Sequence, residues 1–394
     1  MSHPTPRSAL LTCALVALLV QPVTAQQPSV GHGSRGFFIE SADGMWRTEL
    51  QFRMQFRFSS PFDGEPTSAG AFDGESASFD IRRARLKVGG HGWQPWLSYY
   101  FEYDVASSSL LNWTLEIEKN PKASVRFGQW KAFYTRERIV SSGRQQFVDR
   151  SIVNRPFTID RQMGVSLYGR LGEGSASDFN YWVSAFTGMG RGVRANDDQN
   201  LMYMARLQWN PLGRDVPFAS GDLDRSADPA LSIAVAGVTN RSACTRFSGS
   251  GCGSLTGFAA DPGRYEVNQA LIETAFLYDG FSWTQEFHLK KIDDRQLDAQ
   301  TDLTGNYVQI GYFPSGLIED FPEELELAAR WAFFRPDNDV DDNRYDEVSV
   351  AANWFFGGHS NKLTTEVTWL DATFQPGDVN ESATRFRLQW DIQF

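Results

Sequence analysis

Six cations fall at even spacings in two stretches: Arg47, Arg53 and Arg57 within Arg47–Phe58, and Arg83, Arg85 and Lys87 at successive alternate positions. A β-strand sends alternate side chains to opposite faces, so each set lies along one face of a strand. Arginine's planar fork donates paired hydrogen bonds to oxyanions, and lysine adds a compact charge. The chemistry on offer is attraction of anions rather than bond making. Five more arginines, Arg136, Arg138, Arg144, Arg150 and Arg155, sit in 132–160, a stretch with no alternation at all. A connection of that length inside a regular array is functional or disordered, and Phe133, Tyr134, Phe147, Ile152 and Phe157 argue against disorder.

Other chemistries find little support. The histidines after the leader, His32, His91, His288 and His359, are far apart in sequence. A triad needs a nucleophile, a base and an orienting group held together, and no catalytic residue is assigned. His288 shares a strand face with Glu286, which a wet face explains. No paired-histidine or Cys/His cluster indicates a metal, and no cofactor is expected. The acidic run Asp337–Asn343 reads as a solvated loop. The net charge of −11 and an export leader exclude nucleic acid as a partner.

The elements that carry the cations are strands of one kind. In 46–58, Trp46, Leu50, Phe52, Met54, Phe56 and Phe58 share the face opposite the arginines. In 384–394, Phe386, Leu388, Trp390, Ile392 and Phe394 oppose Arg385, Arg387, Gln389, Asp391 and Gln393. Sixteen such segments are expected: 46–58, 79–89, 96–105, 111–118, 124–131, 161–171, 178–187, 201–209, 230–239, 264–279, 281–291, 306–313, 325–335, 345–356, 362–370 and 384–394. Arg126 and Lys131 cannot be assigned to a face, and Arg82 falls in the apolar phase near an interface. After residue 25 no apolar run is long enough to make a spanning helix, so insertion in lipid requires a closed barrel. The fold expected is all-β, a 16-stranded antiparallel transmembrane barrel with one greasy and one wet face.

Arg7, the apolar run Ala9–Val20 and Val23-Thr24-Ala25 form a signal peptide over 1–25. Residues 26–44 read as a periplasmic lead, and 45–394 as the barrel. With the N-terminus periplasmic, the outer loops are 59–78, 106–110, 132–160, 188–200, 240–263, 292–305, 336–344 and 371–383. Cys244 and Cys252 flank a loop-like segment of an exported chain and are expected to form a disulfide. Charge is uneven: 82–170 holds fifteen Lys/Arg against seven Asp/Glu, and 171–394 holds seventeen against thirty-three.

The terminal strand ending on Phe394 resembles the C-terminal signal of bacterial outer-membrane barrels, which implies recognition by the barrel-assembly machinery and residence among outer-membrane lipids of a Gram-negative-type bacterium. Further stretches carry a closer resemblance: Gly44–Phe58, Asp80–Leu86, Val125–Lys131, Asp160–Val165 and Arg206–Gly213. In these the chain resembles the phosphate-selective porin O and P family over most of its mature length. The resemblance implies a homotrimer, an arginine ladder down the wall and a third outer loop folded inward as the constriction, a place matched by 132–160. The function expected is passive diffusion of small anions such as phosphate. The alternatives are a general or other-solute porin, a barrel hydrolase, and a structural barrel with an occluded lumen.

Overall fold

The computed structural model describes residues 27–375 and 379–394. A short hairpin, β1 (Ser29–Gly33) and β2 (Gly36–Glu40), comes first. Sixteen further strands follow: β3 (Arg47–Ser60), β4 (Ser78–Gly92), β5 (Gln94–Asp104), β6 (Ser109–Ile117), β7 (Ser124–Lys131), β8 (Arg161–Leu171), β9 (Phe179–Phe186), β10 (Met202–Trp209), β11 (Ala230–Ser242), β12 (Tyr265–Tyr278), β13 (Phe281–Asp294), β14 (Ala299–Tyr312), β15 (Leu325–Arg335), β16 (Tyr345–Phe355), β17 (Asn361–Phe374) and β18 (Val379–Gln393). From β3 to β18 each pairs antiparallel with its sequence neighbour, and β18 closes on β3, with Phe386 opposite Ser60 and Gln393 opposite Arg53. Phe394 finishes the seam. Its amide donates to Phe52 O at 2.8 Å, and the Phe52 amide donates back to Phe394 O at 3.1 Å. The result is a closed sixteen-stranded barrel with almost no helix.

The alternation sorts inside from outside. Phe52, Trp113, Val235, Ile272, Trp331 and Val350 are exposed on the outer wall, whereas Arg53, Arg57, Glu273, Glu286, Arg330 and Arg387 are buried within it. This inverts the soluble pattern, as a wall must when its outer face meets hydrocarbon and its inner face meets water. Among the described residues no helix is long and apolar enough to cross a membrane.

Several strands are longer than the pattern suggests. The expected loop 292–305 shrinks to 295–298, and 371–383 shrinks to 375–378, because Asp293 pairs with Gln300 and Thr373 with Asn380. Beyond the apolar belt both faces are wet, so alternation fades while backbone pairing continues. The lead 26–44 is also structured in part: β2 pairs Phe37–Glu40 with Leu50–Arg47, extending the edge of β3 past the end of β18. Arg82 lies where the register slips between Gln55 and Phe56 on the facing strand, a bulge that turns it toward Asp63 at 3.4 Å. β7 resists reading because Gly128 takes φ +117°, where a Cβ would meet the Trp113 carbonyl at 2.0 Å. The expected leader, 1–25, lies outside the described residues.

Candidate functional site

Between β7 and β8 the chain crosses the inside of the barrel. Two single turns of helix, α1 (Arg136–Ile139) and α2 (Asn154–Phe157), lie in this loop, and Thr135 caps α1 by accepting from the Arg138 amide at 3.1 Å. Four wall glutamates receive loop amides: Glu273 from Arg136 (3.2 Å), Glu286 from Glu137 (2.9 Å), Glu366 from Val148 (2.8 Å) and Glu347 from Ile152 (2.9 Å). Wall donors in turn reach loop carbonyls: Arg206 to Tyr134, Gln55 to Ser142, Asn353 to Gln146, Arg57 to Val148, Arg330 to Asp149 and Lys290 to Pro156. Tyr134, Val148, Val153 and Phe157 are thereby buried. A loop amide or carbonyl buried without such a partner would cost about 1–3 kcal/mol, so the wall dictates the loop's course.

Three other connections help to fill the interior. From the opposite end, 210–229 rises to meet the loop. Arg136 donates to the carbonyls of Val216 (3.1 Å) and Pro217 (2.9 Å), the Ser220 amide donates to Arg144 O at 2.8 Å, and Phe218 lies 5.7 Å from Phe133, edge to face. Above the loop, Cys244 and Cys252 are disulfide-bonded, and this connection holds the far end of 132–160 through Asp160 N to Phe247 O (2.8 Å) and Ser248 Oγ to Arg155 O (2.8 Å). Residues 61–77 complete the cover. Arg385 donates to the Asp63 and Gly64 carbonyls, and loss of hydration pushes the Glu65 carboxyl up to about 8; Arg155 and Arg385 restrain that rise, while Glu347 and Glu137 add to it.

The cations singled out by sequence are unequal. Arg47 sits at one rim, paired with Glu40 and Glu49 and 4.2 Å from the centre of the Phe38 ring. Arg53 reaches Ser141, Ser142 and, at 3.7 Å, Asp391. Arg57 binds Asp63 (2.8 Å), Asp149 (2.7 Å) and Gln389. Arg83 holds Gln55 at 2.7 Å and lies 3.6 Å from Asp149; Arg85 is locked between Glu102 (2.7 Å) and Asp104 (3.0 Å). Arg136 pairs with Glu273, Arg138 with Asp160, and Arg150 donates to the carbonyls of Glu137, Arg138 and Val140. Most of these arginines are therefore structural ties as much as charges facing water. Arg155 makes no ion pair among the described residues.

Lys87 and Arg144 differ, and they meet at one place. A cavity of 840 Å³ opens beside the loop against β3–β8, lined by Lys87, Lys131, Arg144, Arg85, Arg126 and Arg161 among others. Arg85, Arg126 and Arg161 are paired with Glu102, Glu116 and Asp160. Lys87 instead donates to the Gln51 amide oxygen (2.7 Å), Lys131 donates to Val140 O (3.3 Å), and Arg144 is exposed with no side-chain partner among the described residues. Glu118 is the lining carboxylate without a cation, accepting from Ser98 and Tyr168. Sequence reading left Lys131 unassigned because Gly128 breaks its strand's phase. It places Glu286 on a wet strand face but gives none of the four glutamates a role, because their only signal is a carboxylate midway along the wet face of each strand.

A family model for the phosphate-selective porins O and P matches residues 52–392. The chain belongs to that family. It is an outer-membrane porin for small anions. No curated protein sequence matches this porin. Among solved structures it is similar to the outer membrane channel DcaP of Acinetobacter baumannii (12% identity, TM-score 0.58, covering 90% of this chain and 99% of that one). It is similar also to an anion-selective porin from Comamonas acidovorans (9%, 0.57, 88% and 98%) and to OmpT, an outer membrane protein of Vibrio cholerae in its trimer form (11%, 0.55, 88% and 99%). At such identities the likeness is one of fold.

Proposed function

We propose that this porin passes small oxyanions, phosphate among them, along the β3–β8 side of its lumen, and that Lys87, Lys131 and Arg144 set its selectivity. The observation that carries the reading is the cavity where these three cations gather without a carboxylate partner. Lys87, Lys131 and Arg144 bring their charges to this one cavity, whereas Arg85, Arg126 and Arg161 beside them are paired with Glu102, Glu116 and Asp160. A close pair at these dielectrics attracts by about 1–4 kcal/mol, strong enough to favour entry and weak enough to permit exit. Arg53, Arg57, Arg83, Arg136, Arg138 and Arg150 then act mainly by holding the loops that narrow the passage, while Arg47 and Arg85 pair with carboxylates at the rim and on the wall. The buried His288 meets Glu286 at 3.1 Å and stacks on Phe157, so its place in the reading is to pack the crossing loop against the wall. Residues 1–25 direct export, the C-terminal strand engages the assembly machinery, and the barrel works as a homotrimer like the OmpT form named above.

Reversal potential across a planar bilayer in a potassium chloride gradient tests this. The expected sign is that of chloride selectivity, and Lys131→Glu with Arg144→Glu should move it toward potassium. A cation-selective wild type, or a silent bilayer with correctly folded protein, would overturn the reading.

A further inference from the structure

The same cavity has a second character that inorganic phosphate does not need. Beside its cations it is lined by Tyr100, Trp130, Phe133, Ile139 and Phe218. Tyr100 comes from β5 and its ring makes no stacking or cation–π contact among the described residues; its hydroxyl rests 3.5 Å from Glu102. Phe133 and Ile139 come from the crossing loop and remain half-exposed. Phe133 is held in place, stacked on Trp182 at 5.3 Å and set edge-on to Phe218 at 5.7 Å. Apolar surface is thus supplied by the loop and by 210–229, and ammonium groups bonded to neutral acceptors by β4 and β7.

A bare phosphate would fill a small part of 840 Å³ and leave this apolar surface wet. Ligand sites of about 300–1,000 Å³ with apolar lining and a few placed charges accommodate molecules with a hydrophobic body. We infer that the cavity is a binding site for organic anions that carry one oxyanion head group on a flat apolar body, with Lys87, Lys131 and Arg144 taking the head group and Tyr100, Phe133 and Ile139 the body. This rests on the anion-channel reading and names the solute class within it. The Tyr100 ring prefers a flat partner to a branched one, because aromatic pairs gain from offset and edge-to-face contact beyond their buried area; Phe133, already stacked on Trp182 and 5.0 Å from the Arg126 guanidinium, adds apolar surface at its rim.

The test compares matched probes that share a head group. Chloride current through the purified, folded porin is measured with inorganic phosphate against phenyl phosphate, and with acetate against benzoate. Ring contact and burial should let each aromatic anion reduce the current at about tenfold lower concentration than its partner. Tyr100→Ser should shrink that gap while keeping the inorganic phosphate effect. Phe133→Leu, which preserves the loop's apolar packing, should shrink it too, and Lys131→Gln should weaken all four probes. Equal potency within each pair, or a gap untouched by both aromatic variants, would overturn the site while leaving the anion channel standing. A reversal potential favouring potassium would instead remove the channel reading itself.

Discussion

A lumen arginine is a poor reporter of lumen charge until its partners are known. Asp149 shows why. It accepts from Arg57 at 2.7 Å and Arg387 at 3.1 Å and lies 3.6 Å from Arg83, so one loop carboxylate ties cations from three strands. Replacing Arg57 with Gln should cost about 1–3 kcal/mol of loop anchoring rather than the larger loss of an orphaned buried charge, because Asp149 keeps two cations. The expected result is a barrel that still shifts with heat on a gel but whose 132–160 segment is cut faster by protease. Unchanged cleavage would mean that the glutamates alone fix the loop. Glu65 gives a second residue-scale outcome. Its carboxyl is raised to about 8 by lost hydration, so the docked loop holds a proton that the free loop releases near the ordinary carboxylate range. An acid raised in this way favours docking at low pH, and the advantage falls as pH rises toward 8. Arg155, Arg385, Glu347 and Glu137 all act on it, but burial is the largest cause. Hydrogen exchange in 61–77, corrected for its intrinsic pH dependence, should accelerate from about pH 5 to pH 8 and level off above that, and Glu65→Gln should flatten the rise.

At the level of elements, the strands were legible and their ends were not. The arginine-bearing face of β3 and the mirrored faces of β18 follow from period-two alternation, which the lipid boundary enforces residue by residue. Where β13 and β14 project beyond the apolar belt that enforcement stops, and Ile292–Asp294 reads as loop although it pairs with Thr301–Ala299. The course of 132–160 was illegible in a deeper way. Its partners lie far along the chain: Ser141 is 88 residues from Arg53, and Val148 is 218 from Glu366. Length and arginine content single the loop out, but which arginines end as ties depends on contacts that no local pattern encodes. The seam carries its own prediction. Phe394 exchanges two backbone bonds with Phe52, so removing it leaves the Phe52 amide and carbonyl unpaired at the closing edge. Deleting Phe394 should sharply lower the yield of heat-modifiable, trypsin-resistant barrel. Phe394→Ser keeps the backbone bonds and should retain more, and equal yields from the two variants would place the effect in the side chain.

At the scale of the whole molecule, the lumen is divided. Across β9–β18 it is taken up by 132–160, 210–229, 243–264 and 61–77 packed on one another, and the large cavity stands against β3–β8. Selectivity in such a passage depends on width as well as charge. Exposed charges are screened over about 10 Å at 0.1 M salt, so a cation governs a narrow gap and loses control of a wide one. The element that keeps this gap narrow on its lower side is 210–229, through Phe218 against Phe133 and Trp182 and the Val216 and Pro217 carbonyls against Arg136. Phe218→Ala removes the ring, uncovering the Arg136 guanidinium 4.7 Å away, and deletes no charge. The expected outcome is a larger single-channel conductance together with a reversal potential closer to zero, since the loop loses its floor while Lys87, Lys131 and Arg144 keep their charges. Lys131→Gln should also reduce the reversal potential but leave conductance little altered, so conductance separates the two variants. If Phe218→Ala left both quantities at wild-type values, the ions would be taking a route that 210–229 does not border, and the cavity beside β3–β8 would not be the passage.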